Sequence, residues 1–336
     1  MSTQVSTVRA ARFRGEGVVE VVERAVQPLG PGRVRLEVAY CGLCGSDRRL
    51  FAGGAGHIPG HEISGTVAQV GEGVEGIEIG QRALVYIVVF CGHCRPCRAG
   101  QTNRCLEATE LVGWQLDGGY QEVVDVPART LLPVPDDIDL ATAVLALDTL
   151  GTAAHGLRMA LAPLGGAPDR ALVLGCGPLG LGVVAAARDL GIGGVQAADL
   201  VPARREAARR LGAVSMAVGD LEERSLPLVV EVTGTREGRQ AAWSLVEPGG
   251  SLLLLGEGEA AWEVPATPRW RRTDMYVIRS FYFPIAEVEA NWEMLRRTGP
   301  DLGRSVVSVH PLSELQTAFD QFVRGDVLKP LIEARR

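Results

Sequence analysis

The stretch ALVLGCGPLGLGVVAAARDLG (171–191) decides the fold. An apolar run, ALVL, meets glycines at 175, 177 and 180 and passes into a long stretch with few breakers. A strand, a tight glycine turn and a helix in that order form a dinucleotide-binding fingerprint. Gly175 permits the turn, Gly177 lets the backbone approach a pyrophosphate, and Gly180 lets helix and strand pack closely. Pro178 and Leu179 open the helix, whose first N–H groups are offered to the phosphates. Glycines alone also mark plain turns, so the next strand matters. VQAAD (195–199) ends on Asp199, where a carboxylate accepts the ribose hydroxyls. That carboxylate favours NAD, while Arg204 and Arg205 just beyond leave NADP open.

Working outward, apolar strands ALVLG (171–175), VQAAD, LPLVVEV (226–232) and SLLLLG (251–256) alternate with amphipathic helices, the mark of a covered parallel sheet. MYVIRSFYF (275–283) is expected to close this sheet. Helices follow near 285–298 and 313–324, the second started by a capping box of Ser313 and Gln316, and VLKPLIEA supplies a last short strand. Residues 140–161 read as mostly helical. Residues 1–135 read differently: RVRLEVAY (33–40) and ISGTVAQVGEGVEGIEIGQRALVYI (63–87) are short strands parted by glycine turns. They predict an irregular antiparallel barrel or sandwich.

A chain of 336 residues suits two domains. Its net charge of −6, with basic residues scattered along the chain, argues against a nucleic-acid partner. One lysine, Lys329, stands among 34 basic residues and reads as codon bias. The N-terminus MSTQVSTVRAARFRGEG lacks the apolar core of a signal peptide, and no stretch approaches the uninterrupted apolar length of a membrane span. The expectation is a cytoplasmic protein, in which clustered thiols serve metals or catalysis rather than disulfides.

Seven cysteines sharpen this reading. CGHCRPCRAGQTNRC (91–105) sets Cys91, Cys94, Cys97 and Cys105 at C-x2-C-x2-C-x7-C, a spacing that closes a tetrahedron of thiolates around zinc. Four sulfurs saturate the metal, so this site is structural. An iron–sulfur centre has the same spacing but fits the surrounding strands less well. His93, inside the loop, is surplus and reads as a solvated side chain. A second site is suggested by CGLCGSD (41–47) and GHE (60–62), since catalytic zinc takes about three protein ligands and keeps one position open. Cys44 and His61 supply two. Cys41 and Cys176 read as small buried residues, and His57 as a loop residue rather than a substitute ligand.

GLCGSD, PGHE, the four-cysteine lobe, GCGPLG and the terminal KPLI together resemble the zinc-dependent medium-chain alcohol and polyol dehydrogenases over essentially the whole chain. The resemblance implies a Rossmann domain (150–284) and a GroES-like catalytic domain (1–149 with 285–336) carrying the zinc lobe near 88–110. It implies Cys44 and His61 as catalytic zinc ligands, Glu62 as a carboxylate that binds or approaches the metal, and Asp148 of LDTLGTAAHG (147–156) as the third ligand, in the aspartate branch. Ser46 would carry the alcohol proton toward solvent and Thr152 would lie near the nicotinamide. His155 fits the pattern without a role.

The implied protein is an enzyme with two zinc ions per chain, acting on a small alcohol or polyol as a homodimer or homotetramer. Many relatives end the proton relay with a histidine, whereas this chain has Arg49, beside Arg48. A guanidinium is no base. Either the proton leaves through water and cofactor hydroxyls or Arg49 binds an acidic or phosphorylated substrate, the plain alternative being a surface arginine. Two competing readings remain on the same fold: a zinc-independent quinone or enoyl reductase, which needs no Cys/His/Asp set, and a nucleotide-sensing protein without turnover.

Overall fold

The computed structural model describes residues 7–220, 222–258, 261–264 and 271–335. Residues 1–6, part of the stretch read for a signal peptide, lie outside it. By internal contacts the chain divides into two units. The first is Met1–Leu147 with Pro284–Val288 and Val307–Arg336, and the second is Asp148–Phe283 with Glu289–Val306.

In chain order the first unit begins with the hairpin β1 (Thr7–Gly15) and β2 (Val18–Ala25), then β3 (Arg33–Gly42), helix α1 (Asp47–Gly53), β4 (Glu62–Val70) and β5 (Arg82–Val85). The one-turn helix α2 (Arg95–Arg98) lies in the cysteine loop, followed by β6 (Val123–Pro127), β7 (Leu131–Pro133) and α3 (Leu140–Val144). The second unit runs through α4 (Ala153–Leu161), β8 (Arg170–Leu174), α5 (Pro178–Asp189), β9 (Gly194–Ala198), α6 (Pro202–Arg210), β10 (Val214–Met216), β11 (Leu226–Glu231), α7 (Arg236–Leu245), β12 (Val246–Leu254), β13 (Tyr276–Arg279) and α8 (Val288–Val306). The chain returns to the first unit with β14 (Val307–Pro311), α9 (Leu315–Arg324) and β15 (Lys329–Glu333).

The second unit's sheet has the order β10-β9-β8-β11-β12-β13, every pair parallel. This is the doubly wound order of dinucleotide-binding folds, reversing direction between β8 and β11. β13 closes the edge, as MYVIRSFYF predicts. β10, three residues long and largely exposed, has no apolar period and escaped the sequence reading. Leu172, Val229, Leu252 and Trp243 form part of the core beneath the sheet.

In the first unit a seven-stranded sheet follows the path β14-β15-β3-β4-β5-β7, with β6 also on β3. Its pairs are antiparallel except β14 with β15. An aromatic cluster fixes α1 against this core. Phe51 of α1 stacks on Phe319 of α9 with centroids 4.0 Å apart, and Phe13 meets both Phe319 and Tyr120.

Three expectations are corrected. First, α8 falls with the second unit rather than with the C-terminal part of the first. Its buried face carries Trp292 and Asn291, the latter accepting from Arg158 of α4 at 3.3 Å, and Arg297 forks onto Asp189 at the end of α5. Second, Ser313 and Gln316 form no capping box: α9 has no side-chain cap, and Gln316 instead accepts from Val19 N and donates to Gly17 O, holding the β1–β2 hairpin. Third, Leu140–Leu161 does reach the length and hydropathy of a membrane-crossing helix, but 78% of its most apolar window is buried inside the protein. It is core, broken between α3 and α4 by a π-helical turn, Asp148–Thr152.

That turn packs on α5 through Gly182, where an added Cβ would stand 1.7 Å from the Thr149 carbonyl oxygen. Gly182→Ala should therefore displace the π turn and cost about 1–3 kcal/mol. A urea-denaturation midpoint indistinguishable from wild type would refute this.

Candidate metal centres and cofactor loop

PGHE lies where β4 begins, and glycines hold it. Gly118 N donates to Ile58 O, Gly119 N to Gly60 O and Tyr120 N to Pro59 O. A Cβ at Gly118 would sit 2.0 Å from Gly60 O, so only glycine allows this approach. The clamp leaves His61 2% exposed.

Four residues then converge: Cys44, His61, Glu62 and Asp148 each offer a ligand atom, all within 4.8 Å of one another. Asp148 directly follows Leu147, the last residue of the first unit. Behind His61 stands a carboxylate the sequence reading passed over. Asp47, fully buried, approaches His61 Nδ1 at 3.2 Å and accepts hydrogen bonds from Tyr120 Oη at 2.8 Å and Cys44 N at 3.0 Å. A metal-binding imidazole engaged in this way on one nitrogen presents the other to the ion. The signal available was its place three residues after Cys44, inside GSD.

Glu62 meets an equally unforeseen partner. Lys329, read as codon bias, is 1% exposed, ion-paired with Glu62 Oε1, and donates to Leu43 O at 3.0 Å. The donor chemistry suits zinc: a thiolate and the Asp148 carboxylate cancel the charge of Zn²⁺, while Lys329 cancels Glu62.

The cysteine lobe fits as well. Cys91, Cys94, Cys97 and Cys105 form one group, with Sγ–Sγ separations of 4.0 Å (91 to 97) and 3.9 Å (94 to 105). A tetrahedron with Zn–S near 2.3 Å has edges of about 3.8 Å. Backbone amides of Cys97 and Leu106 pull the Cys94 thiol down to about 6, and burial pushes Cys97 up to about 12. Residue 93 stays outside as expected, His93 being exposed and 3.0 Å from Glu107. Cys41 and Cys176 are buried, and the His57 ring meets the Gly113 carbonyl at 3.1 Å. His155 is buried in α4.

In the second unit, Gly175 has φ +100°, in the region glycine favours, and an added Cβ at Gly180 would lie 1.9 Å from Gly175 O. Gly177 caps α5 without a side-chain bond, Pro178 and Leu179 begin its first turn, and nothing stands within 4 Å of where a Gly177 Cβ would be. This geometry leaves helix N–H groups and open space for a pyrophosphate. Asp199 holds the loop in shape, accepting from Cys176 N and Val201 N, with a second lone pair left on each oxygen. Arg204 stands 4.0 Å from Asp199, and Arg205 donates to the Asp199 carbonyl. Thr152 Oγ1 is buried without a hydrogen-bond partner among the described residues. Ser46 is half-buried at the N-cap of α1, its hydroxyl not used in capping. Arg49 is exposed, its guanidinium carbon 5.0 Å over the Trp114 ring.

Comparison with known proteins identifies the family. Residues 30–136 match the alcohol dehydrogenase GroES-like domain. The chain is 31% identical to a 2-dehydro-3-deoxy-L-galactonate 5-dehydrogenase of Pseudoalteromonas atlantica, over 92% of this chain and 94% of that one. It belongs to the zinc-dependent medium-chain dehydrogenase family. Among solved structures it is similar to an alcohol dehydrogenase from Thermus sp. ATN1 (TM-score 0.88, 27% identity, 97% and 100% of the two chains). It is also similar to 2R,3R-butanediol dehydrogenase from Bacillus subtilis (TM-score 0.84, 25% identity, 97% and 99%). This dehydrogenase is thus an enzyme that transfers hydride between an alcohol and a nicotinamide cofactor, and zinc belongs to its chemistry. The sensor and zinc-independent reductase readings give way.

Two outcomes follow from the buried carboxylates. Tyr120→Phe should weaken zinc binding roughly tenfold by loosening Asp47 behind His61, measured by competition with a chromogenic chelator; unchanged affinity would show that Asp47 is held without the phenol. Lys329→Met should cost about 3–5 kcal/mol, whereas Glu62→Leu combined with Lys329→Met should recover much of it. Equal denaturation midpoints for the single and double variants would contradict this.

Proposed function

We propose that this dehydrogenase oxidises a secondary hydroxyl of a polyol or sugar-type substrate, with Cys44, His61 and Asp148 holding the catalytic zinc and NAD as acceptor. The observation that carries the reading is the convergence of those donor atoms within 4.8 Å, with Asp47 behind His61. Bound zinc supplies Lewis acidity that lowers the pKa of the substrate hydroxyl. Glu62, neutralised by Lys329, stays beside the ligands without adding net charge. Ser46 receives the hydroxyl proton, since its own hydroxyl is not committed to capping α1. Arg49 cannot take that proton onward, so it leaves through water or cofactor hydroxyls.

The glycine loop 175–180 and the N-terminus of α5 carry the pyrophosphate, Asp199 faces the ribose and favours NAD over NADP, and Thr152 contacts the nicotinamide end. Cys91, Cys94, Cys97 and Cys105 hold a second, structural zinc. Thiolates kept for zinc fit a reducing cytoplasm. Edge strand β13 exposes Tyr276 and Val277 at 45% and 42%, which supports a homo-oligomer paired through that edge.

The test is metal content and turnover together. Zinc-replete protein should hold two zinc ions per chain and reduce NAD with at least one polyol, cyclitol or sugar-type alcohol from a panel. His61→Ala should hold one zinc, still bind NAD and lose turnover. One zinc in the wild-type protein, or full turnover in His61→Ala, would overturn the assignment.

A further inference from the structure

We propose that Cys91, His93 and Glu107 form an entry site through which zinc passes between solvent and the four-cysteine lobe. The inference rests on the preceding assignment of a structural zinc to that lobe and deepens it.

Position comes first. Cys94 and Cys97 are each 8% exposed, so a hydrated cation arriving from solvent meets little of them. His93 and Glu107 stand at the rim with side chains 71% and 52% exposed, and Cys91 is half-buried. The three offer an imidazole nitrogen, a carboxylate oxygen and a sulfur within 4.8 Å of one another. Cys91 therefore belongs to two donor sets, four sulfurs inside and a mixed trio outside. Backbone bonds hold the trio in place. His93 N donates to Cys91 Sγ at 3.4 Å, the His93 carbonyl accepts from Arg98 Nη1, and Glu107 N donates to Cys105 Sγ.

The donor chemistry agrees. A carbonyl only accepts, so the His93 Nδ1 that lies 3.2 Å from Cys91 O is the donor there. In the neutral ring Nε2 then carries the lone pair, and it faces Glu107 Oε2 at 3.0 Å. Two acceptors so placed call for a cation between them. Zinc bonds of about 2.0–2.2 Å to nitrogen and oxygen give a tetrahedral edge of about 3.4 Å, close to that separation. One thiolate, one carboxylate and one imidazole leave Zn²⁺ without net charge and with one position for water. Thiolates are the softer donors, so transfer inward is downhill. Cys91 keeps its bond throughout. Bonds to His93, Glu107 and the water break, bonds to Cys94, Cys97 and Cys105 form, three thiol protons pass to solvent, and nothing changes oxidation state. Release retraces the same path.

The test follows the lobe zinc in full-length His61→Ala protein, where the other centre lacks a ligand. Release to excess chromogenic chelator gives the rate out, competition at equilibrium gives the affinity, and the two together give the rate in. His93→Ala and Glu107→Gln in this background should each slow release and uptake together by roughly tenfold, with affinity unchanged. Glu107→Asp, which keeps the carboxylate, should fall between. Unchanged rates in both variants would overturn the proposal. So would faster release with weaker affinity, which marks the two side chains as supports of the lobe and not its entrance. A His61→Ala chain that binds NAD but holds no zinc would overturn the lobe assignment itself, and this inference with it.

Discussion

Glu62 and Lys329 are both out of water, and each is intolerable there without the other. They stand 267 residues apart in the chain, at the first positions of β4 and β15. Strand β3 lies between, with Gly42 paired to Glu62 on one side and Leu331 on the other. A Cβ on Gly42 would press within 3.1 Å of Glu62 Oε2 and 3.2 Å of the Lys329 Cε, so the ion pair passes over a residue that must have no side chain. The penalty for burying either charge alone is several kcal/mol, which makes correct sheet order and correct charge pairing one requirement. His61 precedes Glu62 and is carried by the same strand start. The candidate ligand His61 thus stands beside a charge that the last strand of the chain neutralises.

A second layer of constraint surrounds the imidazole. Asp47 joins Cys44 N, Tyr120 Oη and the His61 ring, tying the turn before α1, the segment before β6 and the start of β4 to one buried carboxylate. Glycines 113 and 118 bring their backbone against Gly60 because no side chain intervenes, and Gly119 fits against Ile63 and Cys41 for the same reason. Rigidity of this kind gives a metal site its geometry, and it comes from residues that never touch the metal. The same loop delivers Trp114 beside His61, so the scaffold of this imidazole also carries the ring that lies under Arg49.

Chemistry encoded at short range was legible in the chain. The four cysteines close their loop within fifteen residues, and the glycine fingerprint is one strand, one turn and one helix. Their spacing specifies geometry before any long-range contact forms. Strand–helix alternation likewise announced the parallel sheet. Cys44 and His61 were nameable as candidate ligands from their own motifs, whereas Asp148 was nameable only through family resemblance, because nothing in the spacing joins residue 148 to residues 44 and 61. Lys329 looked like compositional accident, Asp47 like part of a turn, and Gln316 like half of a cap. α8 joined the second unit because Trp292 and Asn291 found partners there, which a division along the chain does not reveal.

By itself, then, the sequence determined the expectation of two domains, a dinucleotide loop and a four-thiolate lobe, since each reading depends on local periodicity, on glycine's freedom at positive φ, or on ligand spacing within one loop. Only the tertiary structure decided which buried charges face each other, which carboxylate stands behind His61, and that Arg49 lies over Trp114. Those relations depend on which strands become neighbours, and burial makes them matter, because a charge or imidazole removed from water takes its properties from whatever the fold sets against it.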